Sequence, residues 1–228
     1  MTRDHEQGHD VVVRDDRFGR RVVHVDVACV TGAAVVAAAG LGPVEDFVVL
    51  QHLPSGALED IRPEEAVDQS DETPELFVIR ASETFSFVVD GLSLRWPKPT
   101  IPGRGILELV RRGPEYEVVE HREEHGERVV GPDEAARLGK DGVERFETRL
   151  RRVKIIVNGR RKVVPLQPIS FEAVVRLAFE NPPTGDGVQF TVQYARGPEG
   201  QPTGSLVEGQ TVMVREGMEF DVTSTNRS

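Results

Sequence analysis

Apolar and polar positions alternate, then switch to a helical spacing, within the stretch VKIIVNGRRKVVPLQPISFEAVVRLAF, residues 153–179. Val153, Ile155 and Val157 lie two apart, the period of a strand with one buried face. Asn158-Gly159 follows at once, and two-residue hairpins favour this dipeptide because both central residues need positive φ. Arg160 to Val164 reads as the return strand. Pro165 and Pro168 stop it, since proline donates nothing to a ladder. Ser170 is placed to cap a helix whose apolar stripe is Phe171, Val174, Val175 and Ala178, at i, i+3, i+4 and i+7. Asn181-Pro182-Pro183 closes that helix. Val188, Phe190, Val192 and Tyr194 alternate again, and SLVEGQTVMVREGMEFDVTS predicts two or three further short strands. The order ββαβ(β)β, with one helix across a mixed sheet, is an α+β arrangement of the β-grasp kind.

The same pattern recurs upstream, and internal repetition decides the reading of the whole chain. Asp90-Gly91 separates TFSFVV from LSLRW and stands 68 positions before Asn158-Gly159. A short helix follows, with Ile106, Leu107 and Val110 on one face. FVVLQHLPSG at Phe47 and YEVVEHREEHG at Tyr116 are 69 apart, as are PEEAVD at Pro63 and PDEAAR at Pro132. Phe77 and Phe146 keep that offset. In the first segment VVVRDDRFGRRVVHVDV supplies the hairpin, and Thr31 caps an alanine-rich helix closed by Gly40. The alternative is one large α+β domain with coincidental spacing. Shared order and shared offset favour three tandem modules, at 10–82, 83–150 and 151–228, after a polar tail at 1–9. The joining stretches RASETF and TRLRRV are short, which favours a fixed arrangement over loose beads.

Composition narrows the function. The 228 residues carry 28 Lys and Arg against 38 Asp and Glu, a net charge of −10. That balance disfavours a general nucleic-acid binder, which must neutralise phosphates. There is neither an 18-residue apolar run nor a signal-peptide pattern, so a membrane span is not expected and a cytoplasmic location is. A single cysteine, Cys29, supports neither a disulfide framework nor a cysteine zinc cluster.

Candidate chemistry is sparse. HREEH, His121 to His125, matches the H-x-x-E-H pattern of inverted zinc peptidases, which needs both histidines on one helical face. Here it follows the strand-like YEVVE and aligns with QHLPSG, where His52 stands for His121, so a hairpin turn without metal is the expectation. Cys29 lies just before the first helix without a flanking base, and is expected to be a buried core residue. GRGILE and GLGPVED lack the spacing of a dinucleotide fingerprint, and no phosphate-binding G-x-x-x-x-G-K-[ST] occurs. The carboxylates of PEEA, PDEA and REEHGE fall at helix starts and turns, which is ordinary surface placement. The basic clusters GRRKVV and TRLRRVK lie on or beside exposed strands. No enzymatic activity and no cofactor are expected.

The last third of the chain carries a resemblance. The turn G-x-L-x-x-G at Gly204 to Gly209, the run V-R-E-G-M-x-F-x-V at Val214 to Val222 and the T-x-x-S of Thr225 to Ser228 resemble the C-terminal domain of the bacterial multiubiquitin family. The two upstream segments resemble that family's more divergent modules. The resemblance implies three tandem ubiquitin-like β-grasp domains. It also implies a protein modifier, encoded beside activating and conjugating enzymes and a processing peptidase, and joined to target proteins by an amide or ester bond in defence against phage. Its conjugation tail would be Thr225, Asn226, Arg227 and Ser228. One departure stands out: ubiquitin finishes in two glycines, whereas STNRS has none. Phe220 to Thr223 is expected to remain strand, with Phe220 and Val222 as buried anchors. The competing reading is a scaffold that is not conjugated and binds partners through sheet surfaces or edges.

Overall fold

Each of the three segments folds around a five-stranded sheet with one short α-helix on one face, and the first adds a 3-10 turn at Val44–Asp46. The structure is a computed structural model and describes residues 8–69, 73–122, 126–139, 143–185 and 187–226. In the first module β1 (His9–Arg14) and β2 (Arg20–Val25) form a hairpin. Then come α1 (Gly32–Ala38), β3 (Phe47–His52), β4 (Leu58–Asp60) and β5 (Glu75–Arg80), in the sheet order β2-β1-β5-β3-β4. β5 runs parallel to β1 and antiparallel to β3. Inserting the last strand beside the first, parallel to it, requires a crossover, and the helix supplies it.

The second module repeats this with β6 (Phe85–Val89), β7 (Leu92–Trp96), β8 (Thr100–Pro102), α2 (Gly103–Leu109), β9 (Tyr116–Arg122), β10 (Gly126–Val130), β11 (Ala135–Arg137) and β12 (Glu144–Leu150). The third has β13 (Arg152–Val157), β14 (Arg160–Pro165), β15 (Pro168–Ser170), α3 (Phe171–Ala178), β16 (Val188–Ala195), β17 (Thr203–Leu206), β18 (Thr211–Met213) and β19 (Glu219–Asn226). Their sheets, β7-β6-β12-β9-β10 and β14-β13-β19-β16-β17, have the same order as the first. Three tandem β-grasp modules is therefore the architecture. Among the described residues no helix is long and apolar enough to cross a membrane.

The described residues up to Arg149 form one compact unit and those from Leu150 onward another. In the first unit the two modules share a core. Phe18, in the β1–β2 loop, stacks on Trp96 with ring centroids 5.2 Å apart, and Phe77 meets both rings edge-on at 5.5 and 5.2 Å. Gly105 allows that approach, because a Cβ there would lie 2.3 Å from the Phe18 ring. β5 is buried on both faces: Leu76 and Val78 face the first module's core, Phe77 and Ile79 the shared one. The second unit has its own core, including Ile155, Val174, Val192, Met218 and Phe220.

The turns and caps follow from local chemistry. Asp90-Gly91 and Asn158-Gly159 have φ of 50° and 84°, and 48° and 75°, as a two-residue hairpin requires. Thr31 and Ser170 accept from Ala34 N and Ala173 N, the predicted caps of α1 and α3. Gly40 ends α1 with paired bonds, Gly40 N to Ala37 O and Leu41 N to Val36 O. Two expectations shift. His9, read as the end of the polar tail, belongs with Asp10 to β1, where Asp10 pairs with His24 across the hairpin at 2.8 Å; residues 1–7 lie outside the described set. Cys29, expected in the core, is exposed, because β2 stops at Val25 and the following bend turns outward while Val30 takes the buried place.

Candidate functional site

The segment singled out for conjugation follows Val222 on β19. Phe220 and Val222 are buried, as expected of anchors on alternate positions of a half-buried strand. β19 pairs with β13 only at Glu219 and Phe220, but with β16 over its full length, from Ala195↔Glu219 to Val188↔Asn226. The β13 side ends in a clamp built from the hairpin turn. Asn158 N donates to Phe220 O at 2.9 Å, its Nδ2 donates to Val222 O at 2.9 Å, and its Oδ1 accepts from Val222 N at 2.7 Å. The side chain thus imitates one more residue of strand.

Beyond that clamp the strand changes character. Thr223, Ser224 and Thr225 are all exposed, although successive residues point to opposite faces of the sheet. Both faces there meet solvent, and only β16 holds the backbone. Thr225 Oγ1 reaches Gln189 O at 3.5 Å. The strand therefore runs three residues past the expected end at Thr223, because polar β-branched residues extend a ladder without apolar burial. Of the four tail residues, Thr225 and Asn226 are paired strand; Arg227 and Ser228 lie outside the described residues.

The clamp is itself repeated. In the second module Asp90 N donates to Phe146 O at 3.1 Å, and the Asp90 carboxylate accepts from Thr148 N and Oγ1 at 2.7 and 2.6 Å. Asx residues at this turn thus serve twice, tolerating positive φ and fixing the last strand.

The recurring carboxylates have a structural role as well. Pro63 O and Glu65 O accept from Ala33 N and Gly32 N at the start of α1; Pro132 O and Glu134 O accept from Arg104 N and Gly103 N at the start of α2. Within each turn the glutamate reaches back, Glu65 Oε2 to Arg62 N and Glu134 Oε2 to Gly131 N, both at 3.1 Å. In the third module Gln210 O accepts from Phe171 N, and Gln210 Oε1 accepts from Val207 N at 3.2 Å. These motifs close helix N-termini, whose first N–H groups have no partner within the helix.

His52 and His121 occupy equivalent strand positions with different surroundings. The His52 side chain is fully buried; Nε2 donates to Leu109 O at 2.8 Å, and Nδ1 lies 2.9 Å from Glu75 Oε2. The His52 hydrogen bond, chiefly, holds the Glu75 carboxyl at about 2 despite desolvation, with Arg14 and Arg111 adding attraction. Arg14 also pairs with Glu108 of α2, so this buried cluster binds the two modules together. His121 lies on β9, near Glu127 and Glu147, and not on a helix; His125 lies outside the described residues.

Residues 20–82, 85–150 and 153–226 each match a family described as multiubiquitin. No curated protein matches the chain.

Proposed function

The chain belongs to the multiubiquitin family, and from that premise we propose that it is a ubiquitin-like protein modifier, activated and joined to targets through the segment that follows Val222. Cognate activating and conjugating enzymes would be its partners, with a peptidase that trims or removes it, in bacterial antiphage defence. The observation that carries the reading is the change of character of β19 at Val222, from a clamped and buried strand to one exposed on both faces. A carboxylate presented by such a segment attacks the α-phosphorus of ATP, forming an acyl-adenylate and releasing pyrophosphate. A thiol of the cognate enzymes then displaces AMP to give a thioester, and an amine or hydroxyl of the target displaces that thiol to form the amide or ester. The third module supplies a rigid body for enzymes to grip and a strand end they can draw out.

The test incubates the protein with the activating and conjugating enzymes encoded beside it and ATP, and examines products by mass. Higher-mass adducts are expected with the whole chain and lost when residues 225–228 are removed. The competing scaffold reading draws on the pairing that continues to Val188↔Asn226, which keeps the same segment within the sheet. No adduct with either protein favours the scaffold, and adducts that survive the truncation remove residues 225–228 from the mechanism.

A further inference from the structure

The third module exposes a second feature that conjugation does not use. β14 is an edge strand. Leu166 N donates to Arg151 O, and the register pairs Val153 with Val164, Ile155 with Lys162 and Val157 with Arg160. In an antiparallel ladder bonded pairs alternate, so the backbone groups of these residues face β13. Those of Arg161 and Val163 face outward, whereas the Pro165 carbonyl already accepts from Gln167 N at 2.9 Å. The chain thus presents a short open ladder to solvent.

Three properties define what fits it. First, Arg152, Lys154, Arg160, Arg161 and Lys162 surround this edge, and none of their side chains meets a carboxylate among the described residues. Arginines of the first unit, by contrast, are widely paired, among them Arg14, Arg80, Arg104, Arg111 and Arg128. Residues 150–228 hold ten Lys and Arg against eight Asp and Glu, leaving eighteen against thirty for the remainder. Second, a cleft of about 460 Å³ lies along the same edge, between β14 and α3, lined by Val164, Pro165, Ile169, Ala173, Arg176 and Leu177. Third, Val163 is 50% exposed on the edge itself.

We propose that this edge receives an extended segment of a partner protein, added as a sixth strand, with aliphatic residues at the cleft and acidic residues toward the hairpin turn. The polarity follows from the layout: Val164 and Leu177 lie at the cleft, while Arg160 and Lys162 stand on the same face of β14 nearer the turn. Main-chain bonds to Arg161 and Val163 supply affinity, and the cleft and cations supply selectivity. A second copy of β14 is a poor occupant, because it would set cation against cation across the new pair. Nucleic acid is disfavoured too: β13 and β14 carry no aromatic residue on which a base could stack.

The experiment uses the full chain, labelled for amide NMR, and three probes. These are the blocked peptide Val-Ile-Val-Ile-Glu-Glu-Glu-Glu, the same peptide with glutamines for glutamates, and a single-stranded oligonucleotide. The acidic peptide is expected to shift the Arg161 and Val163 amides and slow their solvent exchange, with the glutamine peptide at least tenfold weaker. Val163→Pro removes an outward donor at a place where an edge tolerates proline, and is expected to abolish the effect. Arg160→Glu with Lys162→Glu is expected to weaken the acidic peptide by a similar factor. No change at Arg161 and Val163, unaltered binding by Val163→Pro, or tighter binding of the oligonucleotide overturns the proposal.

Discussion

The Asn158 side chain bonds both backbone groups of Val222, donating at 2.9 Å and accepting at 2.7 Å. The residue also forms the hairpin turn at φ 48°, so replacing it mixes two effects. Asn158→Gly separates them, because glycine keeps the turn geometry and removes only the clamp. Loss of the two bonds is expected to destabilise the third module by about 2 kcal/mol. Amide exchange at Val192 and Val222 should report it, while the first unit is unaffected. Asn158→Ala should cost more, since it adds strain at positive φ. Equal stability of Asn158→Gly and the parent would show that the clamp adds nothing.

A second expectation concerns the aromatic junction. Adding one methyl at Gly105 places a carbon 2.3 Å from the Phe18 ring, and Phe18 is held between Phe77 and Trp96. Overpacking of this kind typically costs about 1–3 kcal/mol. Trp96 is the chain's only tryptophan and is fully buried, so its fluorescence reports the first unit alone. Gly105→Ala should lower that unfolding midpoint and shift the emission; an unchanged midpoint would mean that the ring cluster yields freely.

The Glu75 cluster sets a pH dependence. Its carboxyl is held at about 2 in the folded protein against an ordinary 4.5, so the folded state binds this proton less readily than the unfolded one. The stabilisation is complete above about pH 4.5 and is lost as pH falls toward 2, amounting to about 3 kcal/mol at most. Trp96-monitored unfolding at pH 5 and at pH 3 should differ by more in the parent than in Glu75→Gln. Parallel pH dependence in the two would remove Glu75 from the acid response.

Much of the fold was legible because local signals agreed with one another. Asn158-Gly159, Ser170 and the Phe171 stripe mark a turn, a cap and a buried helix face, and each is found where its chemistry places it. Joining the first two modules into one unit needs tertiary knowledge, yet it left a trace. ELFVIR and FVVLQH are nearly continuous apolar runs, which signal strands covered on both faces, whereas EFDVTSTN alternates. The clamp was not legible: Asn158 was chosen for its φ, and only its distance to Val222 reveals the second role. Cys29 was misread because an apolar neighbourhood in sequence, VDVACV, straddles a strand end in space. The β14 edge was visible as GRRKVV, but charge alone does not say that the cleft against α3 lies beside it.

The strand end itself yields the last expectation. Phe220 and Val222 are held from both sides, by β13 or Asn158 and by β16, whereas Thr223 to Asn226 are held by β16 alone. Strand ends without burial open at little cost. Amides of residues 223–226 should therefore exchange with solvent well before those of 220–222, whatever the protein's role. If conjugation draws this segment out, fixing it should stop the reaction. Gln189 and Thr225 are direct partners in the register, and cross-strand partners stand about 4.5–5.5 Å apart at Cα, within reach of a disulfide. The pair Gln189→Cys and Thr225→Cys, made with Cys29→Ser to remove the exposed native thiol, locks the end when oxidised. On the modifier reading, adduct formation with cognate activating and conjugating enzymes should fall at least tenfold in the oxidised protein and recover on reduction. Full activity while oxidised would mean that the segment reacts without leaving β16, and opening of the strand beyond Val222 would not be required.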